Sequence, residues 1–268
     1  MTESVTTFAG PVPQKYDTYL GPMLFEPYAR DMASRVSRLS INDRVLEIAC
    51  GTGRVTKHLR TALPSAVKLV ATDLNADMIK IAEAKNIPGN INWQVADAQN
   101  LNFPDESFDA VVCQFGYMFV PDKAKAFTEV YRVLKKGGTF IFNTWDKLQN
   151  NPMFDTANTI VNSFFPEKPP VFYHVPFSFY DMELARSLLI NAGFQNMIIE
   201  FSEMDAISNA KDASTGMVEG NPVYDFVCEK APSLLPVIRD AVEKEITKKF
   251  GMHPLKAPMK AWIVTAEK

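Results

Sequence analysis

The chain has little of what marks a secreted, membrane-spanning or nucleic-acid-binding protein. Its 268 residues hold three widely spaced cysteines and no C-x-x-C pair, so neither a disulfide framework nor a metal site is indicated, and we expect three buried thiols. No apolar run reaches about 18 residues, and the N-terminus lacks a basic-then-apolar signal. A net charge of -3 offers no basic excess for phosphates. We therefore expect a cytoplasmic protein with no membrane insertion and no nucleic-acid partner.

Hydrophobic patterning instead predicts alternating strands and helices, which is typical of a parallel sheet covered on both faces. The predicted strands are 44–50, 68–74, 91–98, 108–115, 139–145, 197–204 and 260–268. The predicted helices are 22–39, 54–63, 75–86, 122–138, 181–194 and 233–251. This order defines an α/β, doubly wound core.

The regular alternation breaks in one segment. Residues 146–180 are rich in Phe and Tyr, contain the pair Pro169-Pro170 and show no clear period. We interpret this stretch as a cap that forms a mobile lid together with residues 8–28. The predicted organisation is an N-terminal lid and helix (1–40), a cofactor-binding core (41–145), the cap insertion (146–180) and a C-terminal part that completes the sheet and adds a lid helix (181–268).

A glycine loop follows the first predicted strand in "VLEIACGTGR", residues 45–54. Ligands of doubly wound sheets bind at the carboxyl ends of the strands, and glycine lets a ligand approach the backbone closely. A dinucleotide fingerprint needs a third glycine where Thr56 stands, and a P-loop needs a G-K-[ST] that is missing. A nucleoside without phosphates fits better, because Asp73 and Asp97 end the next two strands and offer acceptors for ribose and adenine.

Four motifs in this order carry a family resemblance. "VLEIACGTG", "ATDLNADM", "VADAQNLNFPDESFDAVVCQF" and "RVLKKGGTFIFNTW" together resemble class I S-adenosylmethionine-dependent methyltransferases. Within that family they are similar to the small-molecule, methyltransferase type 11-like branch that includes ubiquinone/menaquinone-type enzymes. The motifs cover about residues 40–145. The resemblance implies a Rossmann-like, seven-stranded, mostly parallel sheet whose last strand runs antiparallel.

The resemblance also implies roles for the residues at the strand ends. Ala49, Gly51 and Gly53 would face the methionine part of S-adenosylmethionine, although the family pattern has glycine where Ala49 stands. Asp73 would accept from both ribose hydroxyls. The remaining implied contacts are Leu74 and Met78 on the adenine, Asp97 and the Ala98 amide on the adenine edge, and Gln114 and Phe115 beside the sulfonium.

Two residues before the core are further candidates for the cofactor site. In related N-methyltransferases an arginine at a similar distance before the loop holds the cofactor carboxylate, and Arg30 is the matching candidate here. Tyr19 has a similar status. Both could equally lie on a solvated or packed face.

The expected reaction is transfer of a methyl group to a small, apolar or aromatic acceptor. The enzyme mainly supplies alignment, and a general base is needed only where the acceptor loses a proton. His174, within the cap, is the candidate base. A homodimer is compatible with the sequence. The alternative is a non-catalytic module that keeps this fold for interaction or cofactor sensing. The sequence does not identify the accepting atom.

Overall fold

The computed structural model describes residues 8–36, 38–40 and 42–268; residues 1–7 of the predicted N-terminal segment, Ser37 in the predicted helix 22–39, and Ile41 lie outside the described residues. The strands are β1 (Arg44–Ile48), β2 (Lys68–Asp73), β3 (Ile91–Val95), β4 (Phe108–Gln114), β5 (Leu134–Trp145), β6 (Gln195–Ser208) and β7 (Leu255–Glu267). The α-helices are α1 (Val12–Lys15), α2 (Glu26–Arg35), α3 (Arg54–Ala62), α4 (Ala76–Ala84), α5 (Lys123–Val133), α6 (Pro152–Ser163), α7 (Met182–Ala192), α8 (Ala210–Glu219), α9 (Val223–Lys230) and α10 (Leu235–Phe250). A π-helix, Tyr16–Phe25, connects α1 to α2.

The seven strands form one sheet in the order β3-β2-β1-β4-β5-β7-β6. The strands from β1 to β5 pair in parallel, and β7 runs antiparallel to β5, with Thr139 opposite Glu267 and Trp145 opposite Ala261. The predicted doubly wound, mostly parallel sheet with an antiparallel last strand is confirmed. The strand order reverses between β1 and β4, and this switch point is where such sheets place their ligands.

The chain divides into two compact units, and the boundaries fall at the start of α2 and within β6 and β7. The first, here called the sheet unit, comprises Tyr28–Trp145, Phe179–Ser202 and Ala261–Lys268. Its apolar core on one side of β1 joins α2 and α3 to the sheet through buried residues that include Met32, Val45, Leu59 and Val112. Full burial of each such side chain stabilises the fold by about 1.5–3 kcal/mol. This packing holds α3 against the sheet directly after the glycine loop.

The second unit, here called the helical unit, comprises residues 8–27, Asp146–Ser178 and Glu203–Lys260. Aromatic rings of the predicted cap pack on one another and on rings of the N-terminal segment. The ring pairs are Phe8–Tyr16, Phe8–Phe172, Tyr16–Phe25 and Phe154–Phe177. Much of the aromatic content of residues 146–180 therefore serves the packing of this unit.

The predicted helix 122–138 is wrong at its C-terminal end. Helix α5 ends at Val133, and Leu134 already has extended dihedral angles and pairs with Phe108 of β4. The Gly137 N–H donates to the Lys268 carbonyl, and Gly137 has a φ of +73°. Pairing with two neighbouring segments outweighs the helix propensity of "LKKGG", because tertiary hydrogen bonds decide between the two conformations.

The N-terminal helical region begins earlier than the sequence predicts. Of the helix expected over 22–39, the first residues lie in the π-helix, which has Pro22 in its interior, and the α-helical part, α2, ends at Arg35; α1 precedes both. Proline has no N–H to donate, and π-helical turns are a known way to absorb such an interruption. Sequence patterns also missed α8 and α9, for which no element was predicted.

The cysteines follow the prediction in two of three cases. Cys50 and Cys113 are buried, whereas Cys228 is half-buried. Within the residues that the structure describes, every helix is too short or too polar to cross a membrane.

We predict that Tyr117→Phe raises the stability of the protein by about 1 kcal/mol. Tyr117 is fully buried among Phe127, Phe140 and Phe142, and its hydroxyl has no hydrogen-bond partner within the described residues. A buried hydroxyl without a partner costs about 1–3 kcal/mol. The matched control is Tyr173→Phe, since the Tyr173 hydroxyl is also buried but donates to the Met217 carbonyl at 2.7 Å. Urea unfolding should show the control losing stability; a loss in both variants contradicts the prediction.

Candidate active site

Three residues of the glycine loop after β1 have left-handed backbone angles, and two of them are glycines. Gly51 and Gly53 have φ values of +54° and +79°, which glycine adopts at no steric cost. A Cβ atom at Gly53 would lie 3.0 Å from both Ala82 Cβ and a Trp93 ring carbon, so the loop packs closely on α4 and β3. At Gly51, among the residues that the structure describes and apart from its two chain neighbours, no atom lies within 4 Å of the same position. The loop is thus anchored at Gly53 and open at Gly51.

Asp73, at the end of β2, is tied to this loop. Its Oδ2 accepts the Gly51 N–H at 2.8 Å and its Oδ1 accepts the Asn75 N–H at 2.8 Å. Burial raises the pKa of the Asp73 carboxyl above its ordinary value. Helix α4 is capped by the Asn75 side chain, which accepts from the Asp77 and Met78 amides. The helix therefore does not need Asp73 as its cap, and the carboxylate keeps acceptor capacity for a ligand.

Glu47 and Thr56 form a buried pair beneath the loop. Thr56 Oγ1 donates to Glu47 Oε2 at 2.6 Å, and both side chains are buried. Burial raises the pKa of Glu47 to about 8, with a smaller contribution from the nearby Asp73 charge. The third glycine of a dinucleotide fingerprint would stand at position 56, where no glycine could make this bond. The departure from that fingerprint thus has a structural reason.

Asp97, after β3, is held by Gln99, a residue without a role predicted from the sequence. Its Oδ1 accepts from the backbone N–H of Gln99 at 2.8 Å and from the side-chain Nε2 of Gln99 at 3.1 Å. Gln99 Oε1 accepts in turn from the Asp122 N–H at 3.0 Å, at the start of α5. This chain of bonds fixes the direction of the half-buried Asp97 carboxylate, and the following Ala98 is buried.

The two residues expected to pack on adenine differ in exposure. Leu74 directly follows Asp73 and leaves 69% of its surface exposed, whereas Met78 on α4 is buried. The exposed Leu74 side chain and the neighbouring Asp73 carboxylate place an apolar and a polar surface side by side. A sugar joined to a flat aromatic base needs both.

The end of β4 approaches the end of β1 closely. A Cβ atom at Gly116 would lie only 2.5 Å from Ala49 Cβ, and Ala49 has a φ of +54°. Phe115 also has a positive φ, of +50°, and its ring stacks on Trp145 with 3.8 Å between centroids. Gln114 is half-buried at the last position of β4. Non-glycine residues in left-handed conformation, as here directly after two adjacent strands, are typical of functional sites.

The structure groups most, but not all, of the predicted site residues in one unit. Residues from Ala49 to Phe115 in the predicted set belong to the sheet unit, as does Arg30, which is exposed on α2. Tyr19, half-buried in the π-helix, and His174, exposed in the short 3₁₀-helix Phe172–His174, belong to the helical unit. The roles proposed for these residues stay predictions.

Three residues of the site carry no predicted role: Thr56, Gln99 and Asn143. Their spacing gives no signal, because each makes a hydrogen bond that only the tertiary structure brings together: Thr56 to Glu47, Gln99 to the Asp122 N–H and Asn143 to the Phe115 N–H. Glu47 stands out only as an acid in an apolar run, which indicates a buried carboxyl group but not its partner.

Solved structures with this fold define the class. The chain superposes on phosphoethanolamine N-methyltransferase 2 of Haemonchus contortus with a TM-score of 0.61 and 16% identity, over 96% of this chain and 56% of that one. The YcgJ protein of Bacillus subtilis gives 0.56 and 18%, over 90% and 98%. The [4+2]-cyclase SpnF gives 0.55 and 18%, over 90% and 80%. At these identities the likeness shows the fold alone.

Sequence relatives specify the family. Residues 46–142 match the methyltransferase domain family. The ubiquinone/menaquinone biosynthesis C-methyltransferase UbiE of Geotalea daltonii is 34% identical over 116 residues, 42% of this chain and 49% of that protein. The enzyme of the same name from Teredinibacter turnerae is 38% identical over 113 residues, 41% and 45%. Residues 46–142 thus form a methyltransferase domain that is similar to S-adenosylmethionine-dependent enzymes of the ubiquinone-type branch, and the match spans about half the length of these relatives.

The residues present fit S-adenosylmethionine, the cofactor of this family. The open position at Gly51 leaves room for a ligand against the loop backbone. Asp73 offers a carboxylate for sugar hydroxyls, and Leu74 offers apolar surface beside it. Asp97 offers an acceptor for an amino group, fixed in place by Gln99. Each requirement of a nucleoside is met, and none of these groups requires a phosphate.

We predict that Glu47→Gln flattens the pH dependence of stability between about pH 4.5 and pH 8. Glu47 has an ordinary pKa of 4.5 and a folded-state pKa of about 8, so in this window the folded state holds a proton that the unfolded state has released. Stability from this group is therefore fully present below pH 4.5 and is lost as the pH rises to 8, by up to about 1.4 kcal/mol per pH unit.

Urea unfolding at several pH values measures this effect. Glutamine keeps an acceptor for Thr56 and cannot ionise. The free energy of unfolding of the variant, relative to the wild-type protein, should therefore increase steadily as the pH rises. Glu83→Gln, at an exposed position on α4, is the control and should leave the pH profile unchanged. Parallel profiles for wild type and Glu47→Gln would show that Glu47 is ionised throughout.

Proposed function

We propose that this protein transfers a methyl group from S-adenosylmethionine to a small-molecule acceptor by in-line displacement. The observation that carries the proposal is the bond between the Gly51 amide and the Asp73 carboxylate, which joins the loop after β1 to the acid after β2. The bound cofactor supplies a methyl group already activated by its sulfonium sulfur. The protein's own task is to align the two reactants and exclude water.

The acceptor is proposed to be apolar or aromatic. The relatives that match this chain are named as ubiquinone/menaquinone biosynthesis C-methyltransferases. The net charge of -3 and the absence of a basic excess argue against a nucleic-acid acceptor. These points support a neutral or weakly polar organic molecule in a cytoplasmic setting. We further propose that the helical unit, which includes residues 8–25 and 146–178, acts as the cap.

His174 is proposed as the general base only for an acceptor that must lose a proton from a hydroxyl group. Its imidazole is exposed, in the short 3₁₀-helix Phe172–His174. For an amine or thiolate acceptor the alignment given by the sheet unit is sufficient.

Mass spectrometry with deuteromethyl-labelled S-adenosylmethionine tests the reaction. The purified protein is incubated with the labelled cofactor and with separate pools of quinols, phenols, carboxylic acids, amines and thiols. We expect one pool, quinols or phenols, to gain a single labelled methyl group. Binding of the cofactor without transfer to any pool would favour the alternative, a non-catalytic cofactor-sensing module.

We predict that Asp73→Ala weakens S-adenosylhomocysteine binding by about 1.5–3 kcal/mol, the range for hydrogen bonds to a charged group. Calorimetry of the purified variants measures the affinity, and Asp73→Asn, which keeps one acceptor oxygen, should lose less. The control is Asp77→Ala on α4, where the carboxylate is exposed and pairs with Lys80 at 2.8 Å. Equal affinity of folded Asp73→Ala and wild-type protein would remove Asp73 from the site.

A further inference from the structure

Phe115 is held in a backbone conformation that a bulky residue rarely adopts. Its φ of +50° lies in the left-handed region, where a side chain with a Cβ costs about 1–2 kcal/mol. The residue stands directly after β4, at the carboxyl edge of the sheet. Such a conformation persists only when surrounding contacts determine it.

Asn143 on β5 supplies the polar contact that fixes this backbone. The Phe115 N–H donates to Asn143 Oδ1 at 2.8 Å and also to the Asn143 carbonyl at 3.2 Å. Asn143 is only 1% exposed and stands opposite Gln114 in the parallel pairing of β4 and β5. Because Oδ1 accepts from a backbone N–H, the orientation of the side-chain amide is determined.

The Phe115 ring is fixed by aromatic contacts on two sides. It stacks on Trp145 at 3.8 Å with 6° between the ring planes, and Tyr28 lies edge-on to both rings at 5.1 and 5.4 Å. All three rings are buried. A rotation of the Phe115 backbone would therefore separate the stacked pair or move it as a whole.

Asn143 carries an additional cost that a purely structural residue would avoid. Its Nδ2 is buried and has no hydrogen-bond partner within the described residues. A buried amide nitrogen without an acceptor destabilises the fold, and a leucine of similar size would remove this cost. The Phe115 N–H would still have the backbone carbonyl of residue 143 as its acceptor. The Asn143 side chain thus lowers the stability of the fold through its Nδ2 atom, while its Oδ1 atom holds the Phe115 backbone.

We propose that Asn143 is a positioning residue for the cofactor site, acting through Phe115. It holds the backbone of Phe115 in left-handed conformation and so keeps the Phe115–Trp145 stack where the methyl-donor end of the cofactor binds. The inference rests on the proposed function, in which Phe115 lies beside the sulfonium. It adds a residue from β5 to a site otherwise formed by the ends of β1 to β4.

The test is a double-mutant cycle read by S-adenosylhomocysteine affinity. Asn143→Leu should raise the dissociation constant about tenfold, the effect of one well-placed hydrogen bond. In a Phe115→Leu background, which lacks the ring, the same substitution should change it less than about twofold, because non-additivity marks residues that act together. Asn143→Asp, which keeps the acceptor oxygen, should recover most of the affinity.

Thr144→Val is the matched control. Thr144 is also buried on β5, and its hydroxyl donates to the Phe179 carbonyl at 2.9 Å, so the variant loses a comparable bond on the neighbouring residue. It should bind S-adenosylhomocysteine as the wild-type protein does. Near-ultraviolet circular dichroism of the cofactor-free proteins gives a second readout: Asn143→Leu should lose the signal of the ring stack, as Trp145→Phe does, and Thr144→Val should keep it.

Two results would overturn the inference. Unchanged affinity and unchanged circular dichroism in a folded Asn143→Leu protein would show that Phe115 does not depend on Asn143. An equal loss of affinity in the Phe115→Leu background would show that Asn143 acts by another route. Both results leave wild-type binding intact, whereas failure of the proposed function would appear as a wild-type protein that binds no S-adenosylhomocysteine.

Discussion

The hydrogen bond from the Gly51 amide to the Asp73 carboxylate is the contact on which the site depends. It joins the ends of β1 and β2, and it fixes the glycine loop and the acid in one arrangement. The second oxygen of the same carboxylate orders the first residue of the next turn, where Asn75 caps α4. Leu74 is left between these two anchored residues with its side chain exposed. One carboxylate therefore organises both the polar and the apolar parts of the nucleoside site.

A buried acid beneath the loop explains why the sequence departs from the dinucleotide fingerprint. Glu47 points into the core at the end of β1, where an unpaired carboxyl group is costly. Thr56 on α3 donates the hydrogen bond that offsets part of this cost, and a glycine could not. Desolvation favours the neutral acid, so Glu47 stays protonated to a pH of about 8. A threonine that looks like a missing glycine in the sequence is thus a required donor in the fold.

Backbone strain is present where β1 and β4 end. Ala49 and Phe115 both have positive φ values, and the absence of a side chain at Gly116 lets the Ala49 methyl group fit between the two strands. Phe115 is then secured by Asn143 and by its stack on Trp145. These contacts over-determine the backbone at the switch point of the sheet, which is where a ligand site requires fixed geometry.

Local sequence patterns were enough to predict the class of fold, the order of its strands along the chain, and the residues at the strand ends. These features depend on local patterns: apolar runs for β1 and β4, the Asn75 cap, and glycines where the backbone turns. The family resemblance rests on the same short motifs. Tertiary structure decided where β5 begins, because "LKKGG" pairs with β4 and the C-terminus instead of extending α5. It also decided the partners of Glu47, Gln99 and Phe115, because their hydrogen bonds to Thr56, Asp122 and Asn143 leave no periodicity or spacing in the sequence.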